Sequence, residues 1–345
     1  KQYRKMSSAS SDDYPEFSLS KGRFDMSTFG GRFSHFSNLI DPRTLMPSVF
    51  FGMNLEKARE VVRTAKKAQG GDEAAKAEIS KYSNKELWTA RKIKESAVHP
   101  DTDEIIPQPF RMAGFVPYGT PVVAGMILTS HSYLGTIVFQ ILNQSHNAMI
   151  NYSNRNATAA TTLGDLAQGY MGAVGTSVGV ALALERLIEH LPSTIAPSTR
   201  NLITKLVPFP AVATANIANL VLMRRRELVD GIEVTLPDGT VVGKSAAAAK
   251  QAIFETGITR VALPVPLFFL PPLIMSSLEK NILKNASRAV TVSANVGIVA
   301  GVFALGLPAA LALFDQYGTI KVEKLEDSLR AKLEKMGVNA SELTY

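Results

Sequence analysis

Several absences in this sequence each exclude a class of function. There is no cysteine, which rules out disulfides, cysteine-ligated iron–sulfur clusters and thiol catalysis. There are only five histidines and one tryptophan. No acid–histidine cluster has ligand spacing, so no metal site is expected. The net charge is +7, yet no long block of like charges occurs. A nucleic-acid partner is therefore not expected, and the basic excess suits an anionic membrane surface, with lipids as partners. The longest absence is of charge itself: from Met112 to Asn154 there is no Asp, Glu, Lys or Arg. Mean hydropathy over the chain is only +0.07, because residues 1–111 are charge-rich and residues 112–314 hold the apolar runs.

Charge-free windows occur at Met112–Asn154, Leu166–Leu184, Leu206–Met223, Val261–Leu278 and Ala289–Phe314. A helix needs about 20 apolar residues to cross a bilayer. The last four windows each fit one span. The first is about twice that length; Gly114–Ser130 is read as a crossing, and Tyr133–Leu142 as a shorter helix that re-enters or lies at the interface. The expected fold is thus all-α: a polytopic helical membrane protein with about five transmembrane helices, at 112–130, 166–184, 206–223, 261–278 and 289–314, and six as the alternative. Pro117, Pro121, Pro208, Pro210, Pro264, Pro266, Pro271 and Pro272 interrupt three of these spans. Each interior proline removes a helical hydrogen bond. The freed carbonyls must then be buried in protein or face a water-filled cavity; packing kinks and a broken-helix solute site are the two readings. Gly172, Gly175 and Gly179, and Gly297-x-x-x-Gly301, are close-packing faces. They serve contacts within one chain or, alternatively, a homo-oligomer.

Polar chemistry is concentrated in Asn143–Ala157, NQSHNAMINYSNRNA. Amides beside bilayer-length apolar sequence are costly unless they face one another, a cavity or a substrate. Asn143, Asn147 and Asn151 recur at i, i+4, i+8 and share a helix face. Gln144 and Arg155 are near enough to join it, with Arg155 at the membrane rim. The stretch is read either as an interfacial loop capping helix ends or as the lining for a small polar solute. Asn216 and Asn219 in the third span, Asn295 in the fifth and Arg260 bordering the fourth join helices as hydrogen-bonded glue or pair with a zwitterion.

Residues 1–18 are polar and Ser-rich, and are expected to be disordered. Asp12, Asp13 and Glu16 spoil a transit peptide, so targeting information is expected within the chain. Residues 19–111 read as a soluble helical region. Leu55, Ala58, Val61, Val62 and Ala65 have helical spacing over 54–69, and Ser83-x-x-Glu86 is a capping box that opens a second helix. His99-Pro100-Asp101-Thr102 ends the region as a helix stop and turn. Arg224-Arg225-Arg226-Glu227 precedes a β-hairpin at Asp238-Gly239. VGKS at 242–245 is not a phosphate loop, because Asp238 holds the first-glycine position. Ser145-His146 lacks a positioned acid, so no enzyme is expected. Nor is a cofactor. Residues 315–345 read as a charged amphipathic tail helix.

Several of these motifs, taken in order, resemble the sideroflexins, a family of mitochondrial inner-membrane proteins. They are Phe24-Asp25, Ser27-Thr28-Phe29, Gly31-Arg32 and His35-Phe36; the His99-Pro100-Asp101-Thr102 run, with Asp103 where Gly is usual; the asparagine cluster, with His146 where Phe is frequent; and Met223, Arg224, Arg226, Glu227 and Leu228. The likeness extends from about Phe24 to Lys335. It implies import of serine for one-carbon metabolism, with alanine, glycine and cysteine as further substrates. The alternative it carries is a non-transport membrane scaffold or assembly factor linked to iron or respiratory-chain homeostasis.

Overall fold

The computed structural model describes residues 14–100, 102–154, 163–236, 239–315, 318–336 and 341–345. It divides into two compact units. One holds the chain up to Phe115 and residues 153–158; the other holds Val116–Tyr152 and the remainder.

In the first unit, local signals start and stop each helix. Thr28 accepts from Gly31 N at 3.0 Å and caps α1 (Phe29–Leu39). Gly31 is required there, since a Cβ would lie 1.7 Å from the Asp25 carbonyl oxygen. After the short α2 (Pro47–Phe51), Asn54 caps α3 (Leu55–Gln69), which buries Ala58, Val61 and Ala65. Asp72 caps α4 (Glu73–Ile79). The Ser83/Glu86 box opens α5 (Asn84–Ala97). α3 and α5 close a core of Ala58, Val61, Leu87, Ala90 and Ile93. Residues 14–18, read from composition as disordered, are packed: Trp88 Nε1 donates to Pro15 O at 2.9 Å, and Phe17 meets the Trp88 ring edge-on.

The second unit is helical, with one small sheet among the described residues. The long first window holds two helices, α6 (Phe115–Leu128) and α7 (Tyr133–Ser153). Then come α8 (Leu163–Glu189), α9 (Pro197–Leu206), α10 (Pro208–Arg224) and the short α11 (Glu227–Asp230). α12 (Ala246–Ala262), α13 (Pro264–Asn281) and α14 (Arg288–Leu311) follow. Among the described residues, four stretches are long and apolar enough to cross a membrane: Leu166–Glu189, Pro197–Arg224, Ala246–Asn281 and Arg288–Leu311; Met112–Leu128 is a shorter apolar helix. Two of the four are broken at prolines, α9 giving way to α10 at Pro208 and α12 to α13 at Pro264. His146 and Phe139 of α7 meet Gly119 and Gly125 of α6. Ser145 pairs with Tyr170 and Thr136 with Glu185 between α7 and α8. Phe209 of α10 meets Phe269 of α13, while Asn216 meets Arg260.

The tail is not one helix. β1 (Ile232–Thr235) and β2 (Val241–Ser245) form the expected hairpin, although Asp238 lies outside the described residues. β3 (Thr319–Lys321) and β4 (Glu342–Thr344) flank α15 (Asp327–Lys335), and β4 inserts beside β1 to give the order β2-β1-β4-β3. Leu325, Leu329, Leu333 and Leu343 fill its core with Val234 and Val242. One sheet built from both segments places the α10–α12 connection and the tail on the same side of any membrane the helices cross.

Candidate functional site

α7 carries the candidate site because its amides cover one face of a helix that is otherwise apolar. Thr136, Gln140 and Gln144 are buried at i, i+4, i+8, with Gln140 1% and Gln144 3% exposed. Asn143 and Asn147 are half-buried on the same face. Asn151 continues that face into the last turn and is exposed. Arg155 lies outside the described residues.

Among the described residues of this unit, four buried amide atoms have no hydrogen-bond partner. They are Gln140 Oε1, Asn143 Nδ2 and Gln144 Nε2 on α7, and Asn295 Oδ1 on α14. Asn295 is 5% exposed. Buried amides are normally satisfied, and leaving one open costs about 1–3 kcal/mol. A Cβ on Gly119 of α6 would sit 2.9 Å from Phe303 and 3.7 Å from His146, so α14 and α7 both pass that point. The set offers two N–H donors and two carbonyl acceptors.

A second polar line crosses the bundle near Ser145. Ser145 Oγ and Tyr170 OH are 2.9 Å apart. Beside Tyr170, Gly169 leaves room for Asn219, whose Nδ2 would be 3.0 Å from a Cβ there. Asn219 Oδ1 accepts from Arg260 at 3.0 Å, and Asn216 Nδ2 donates to the Arg260 carbonyl at 3.1 Å. Asn216 and Asn219 thus engage α12 rather than the α7 stripe. At the end of α10, Arg224 donates to Glu227 at 2.8 and 2.5 Å; Arg226 is exposed.

The His99 motif lies in the other unit and forms a turn. His99 Nδ1 accepts from Thr102 N at 3.3 Å, and Val98 bridges Ile105. Pro100 follows the helix end; Asp101 is outside the described residues. Asp103 has φ +55°, a left-handed conformation that explains why glycine suits this position. Arg59 donates to its carboxylate at 2.7 Å. These residues shape a loop.

Sequence reasoning missed two polar groups here. Gln140 was legible only as a lone amide in an apolar run. Glu185, buried on α8 and accepting from the Thr136 hydroxyl, read as one of the charges Glu185, Arg186 and Glu189 that close the second window.

The sequence profile of the Sideroflexins matches residues 18–345. Rat sideroflexin-5 is 43% identical over 317 residues, covering 92% of this chain and 89% of that protein. Mouse sideroflexin-3 is 37% identical over 317 residues, 92% of each chain. A Dictyostelium discoideum sideroflexin is 34% identical over 338 residues, 97% of this chain and 98% of its own. No solved structure matches.

Proposed function

The chain belongs to the sideroflexin family, transporters rather than enzymes, and from that premise we propose that it carries small neutral amino acids, chiefly serine, across the mitochondrial inner membrane to supply one-carbon metabolism. Alanine, glycine and cysteine are the further substrates of this reading. The observation that supports it is the set of open amide atoms on α7 and α14. A serine zwitterion presents a carboxylate, which takes N–H groups such as Asn143 Nδ2 and Gln144 Nε2. Its ammonium takes carbonyl oxygens such as Gln140 Oε1 and Asn295 Oδ1. Its hydroxyl does either. A bound solute would thus satisfy atoms that the fold leaves open, which a membrane scaffold has no reason to maintain. Asn147, Asn151 and Arg155 would extend the lining toward the end of α7. The sequence holds no ATP-binding motif, so the gradient of the solute, an ion or an exchanged solute drives movement.

Uptake of labelled serine into liposomes containing the purified protein tests this. One lost charge-assisted hydrogen bond costs about 1.5–3 kcal/mol, roughly ten- to hundredfold in apparent affinity. Asn143→Ala and Gln144→Ala should each lower serine uptake per folded molecule by that factor. Wild-type protein that carries no neutral amino acid would leave the scaffold reading standing instead.

A further inference from the structure

Arg260 occupies an unusual place for a cation. Its carbonyl accepts from Asn216, which sits near the middle of the apolar stretch Leu206–Met223. Its guanidinium, with five N–H donors to offer, donates through one nitrogen to Asn219. Among the described residues no carboxylate pairs with it. The acids of the neighbouring turns are occupied. Glu227 holds Arg224, and Glu255 takes Tyr345 OH at 2.8 Å and Gln251 Nε2 at 2.9 Å. Arg224 also reaches α12, at Thr256, so a second guanidinium group stands near Arg260, and its own carboxylate partner is Glu227 of α11. A cation at membrane depth is costly unless an anion or a water-filled path meets it. Asn219 holds the fork in place without neutralising it. Asn219 also packs with Met223 against Gly169 of α8, next to Tyr170, which pairs with Ser145 of α7.

We propose that Arg260 receives the carboxylate of the transported solute, with Asn219 as its positioning residue. This rests on the transport reading above and adds what that reading lacks, a full positive charge to recognise the anionic end. The guanidinium fork matches a carboxylate bidentately. The solute class is therefore small carboxylates, and amines or alcohols without a carboxylate are refused. The open oxygens of Gln140 and Asn295 then take the ammonium, and the N–H groups of Asn143 and Gln144 take the carboxylate's remaining lone pairs or the side-chain hydroxyl.

The absence of cysteine makes the test clean, because Arg260→Cys introduces the one thiol in the chain. In liposomes, Arg260→Cys should lose more than tenfold of serine uptake per folded molecule. Treatment with aminoethyl methanethiosulfonate, which leaves an ammonium on the thiol, should restore part of it. The neutral methyl methanethiosulfonate should not. Undiminished uptake by Arg260→Cys, or equal rescue by the neutral reagent, overturns the proposal. If that variant does not fold, Arg260→Lys keeps a cation in place. It should raise the KM for serine at least threefold with little change in kcat, and an unchanged KM in the folded variant also overturns it. Excess ethanolamine, which is serine without its carboxylate, should fail to compete with serine on the wild type. Should the wild type carry no neutral amino acid, the transport reading fails separately. Arg260 is then judged by the thermal shift that acetate, lactate and serine induce in the wild type and in Arg260→Lys; no shift with any of the three overturns it.

Discussion

Buried polar side chains are handled differently in the two compact units. In the first, each named network closes. Asp41 accepts from Arg43 at 2.7 Å and Lys92 at 2.5 Å, and caps the turn that starts at Pro42. Burial alone would raise its pKa, but hydrogen bonds from Arg43 and Lys92 outweigh it and hold the carboxyl at about 2. Buried Arg32 donates to the carbonyls of Met26 and Ser27, and Arg111 to that of Ile106. In the helical unit, Gln140, Asn143, Gln144 and Asn295 keep open atoms. Closed networks stabilise one conformation. Open ones in an apolar bundle cost stability, and are maintained where a solute completes them.

The contrast predicts opposite responses to the same kind of substitution. The largest effect is expected at Asp41. Asp41→Ala leaves Lys92 buried without its counter-charge and should cost about 3 kcal/mol, read as a lower melting temperature of the purified protein. The pH dependence has a definite sign. The folded pKa lies below the ordinary 3.8, so the contribution is complete above about pH 4 and is lost as pH falls toward 2. The wild type should lose stability over that window, and Asp41→Ala should lose less. Equal acid sensitivity in both would show that this network does not stabilise the fold.

Next in size is Gln144→Leu. It removes a buried open amide and keeps the volume, so stability should stay level or rise by up to about 1 kcal/mol. Serine uptake should fall at least about tenfold. A Gln144→Leu protein that melts lower and transports normally would erase the distinction between the units. The smallest effect is expected at Asp103, where two terms oppose each other. Asp103→Gly relieves the left-handed backbone by about 1 kcal/mol. It also gives up the ion pair with Arg59, a surface pair worth about 0–1 kcal/mol. The melting temperature should barely move, whereas Asp103→Val, β-branched at the same φ, should lower it.

Most of the secondary structure was legible because its causes are local. The Ser83/Glu86 box, the Asn54 cap and the spacing of Ala58, Val61 and Ala65 act within a few residues of themselves. The Gly239 turn, with φ +86°, likewise carries its hairpin. The partner of that hairpin was not legible. β4 pairs Thr344 with Thr235, and no pattern inside either segment encodes a contact of that range. The tail therefore read as one helix when α15 is only part of it. The site divided along the same line. The amide face of α7 follows from 3.6-residue periodicity, but Gln140 entered it only once neighbouring helices enclosed the face.

The sequence by itself determined that this chain is a helical membrane protein of the sideroflexin kind, with its amides gathered on one helix. Apolar length, proline breaks and motif order are all written along the chain. Tertiary structure alone decided which polar atoms are spoken for. Asn219 and Asn216, far in sequence from any α7 residue, engage Arg260 on α12, while Gln144 and Asn295 remain open. The reason is physical: a hydrogen bond depends on distances of about 3 Å between side chains, and across helices those distances are set by packing at glycines such as Gly119 and Gly169.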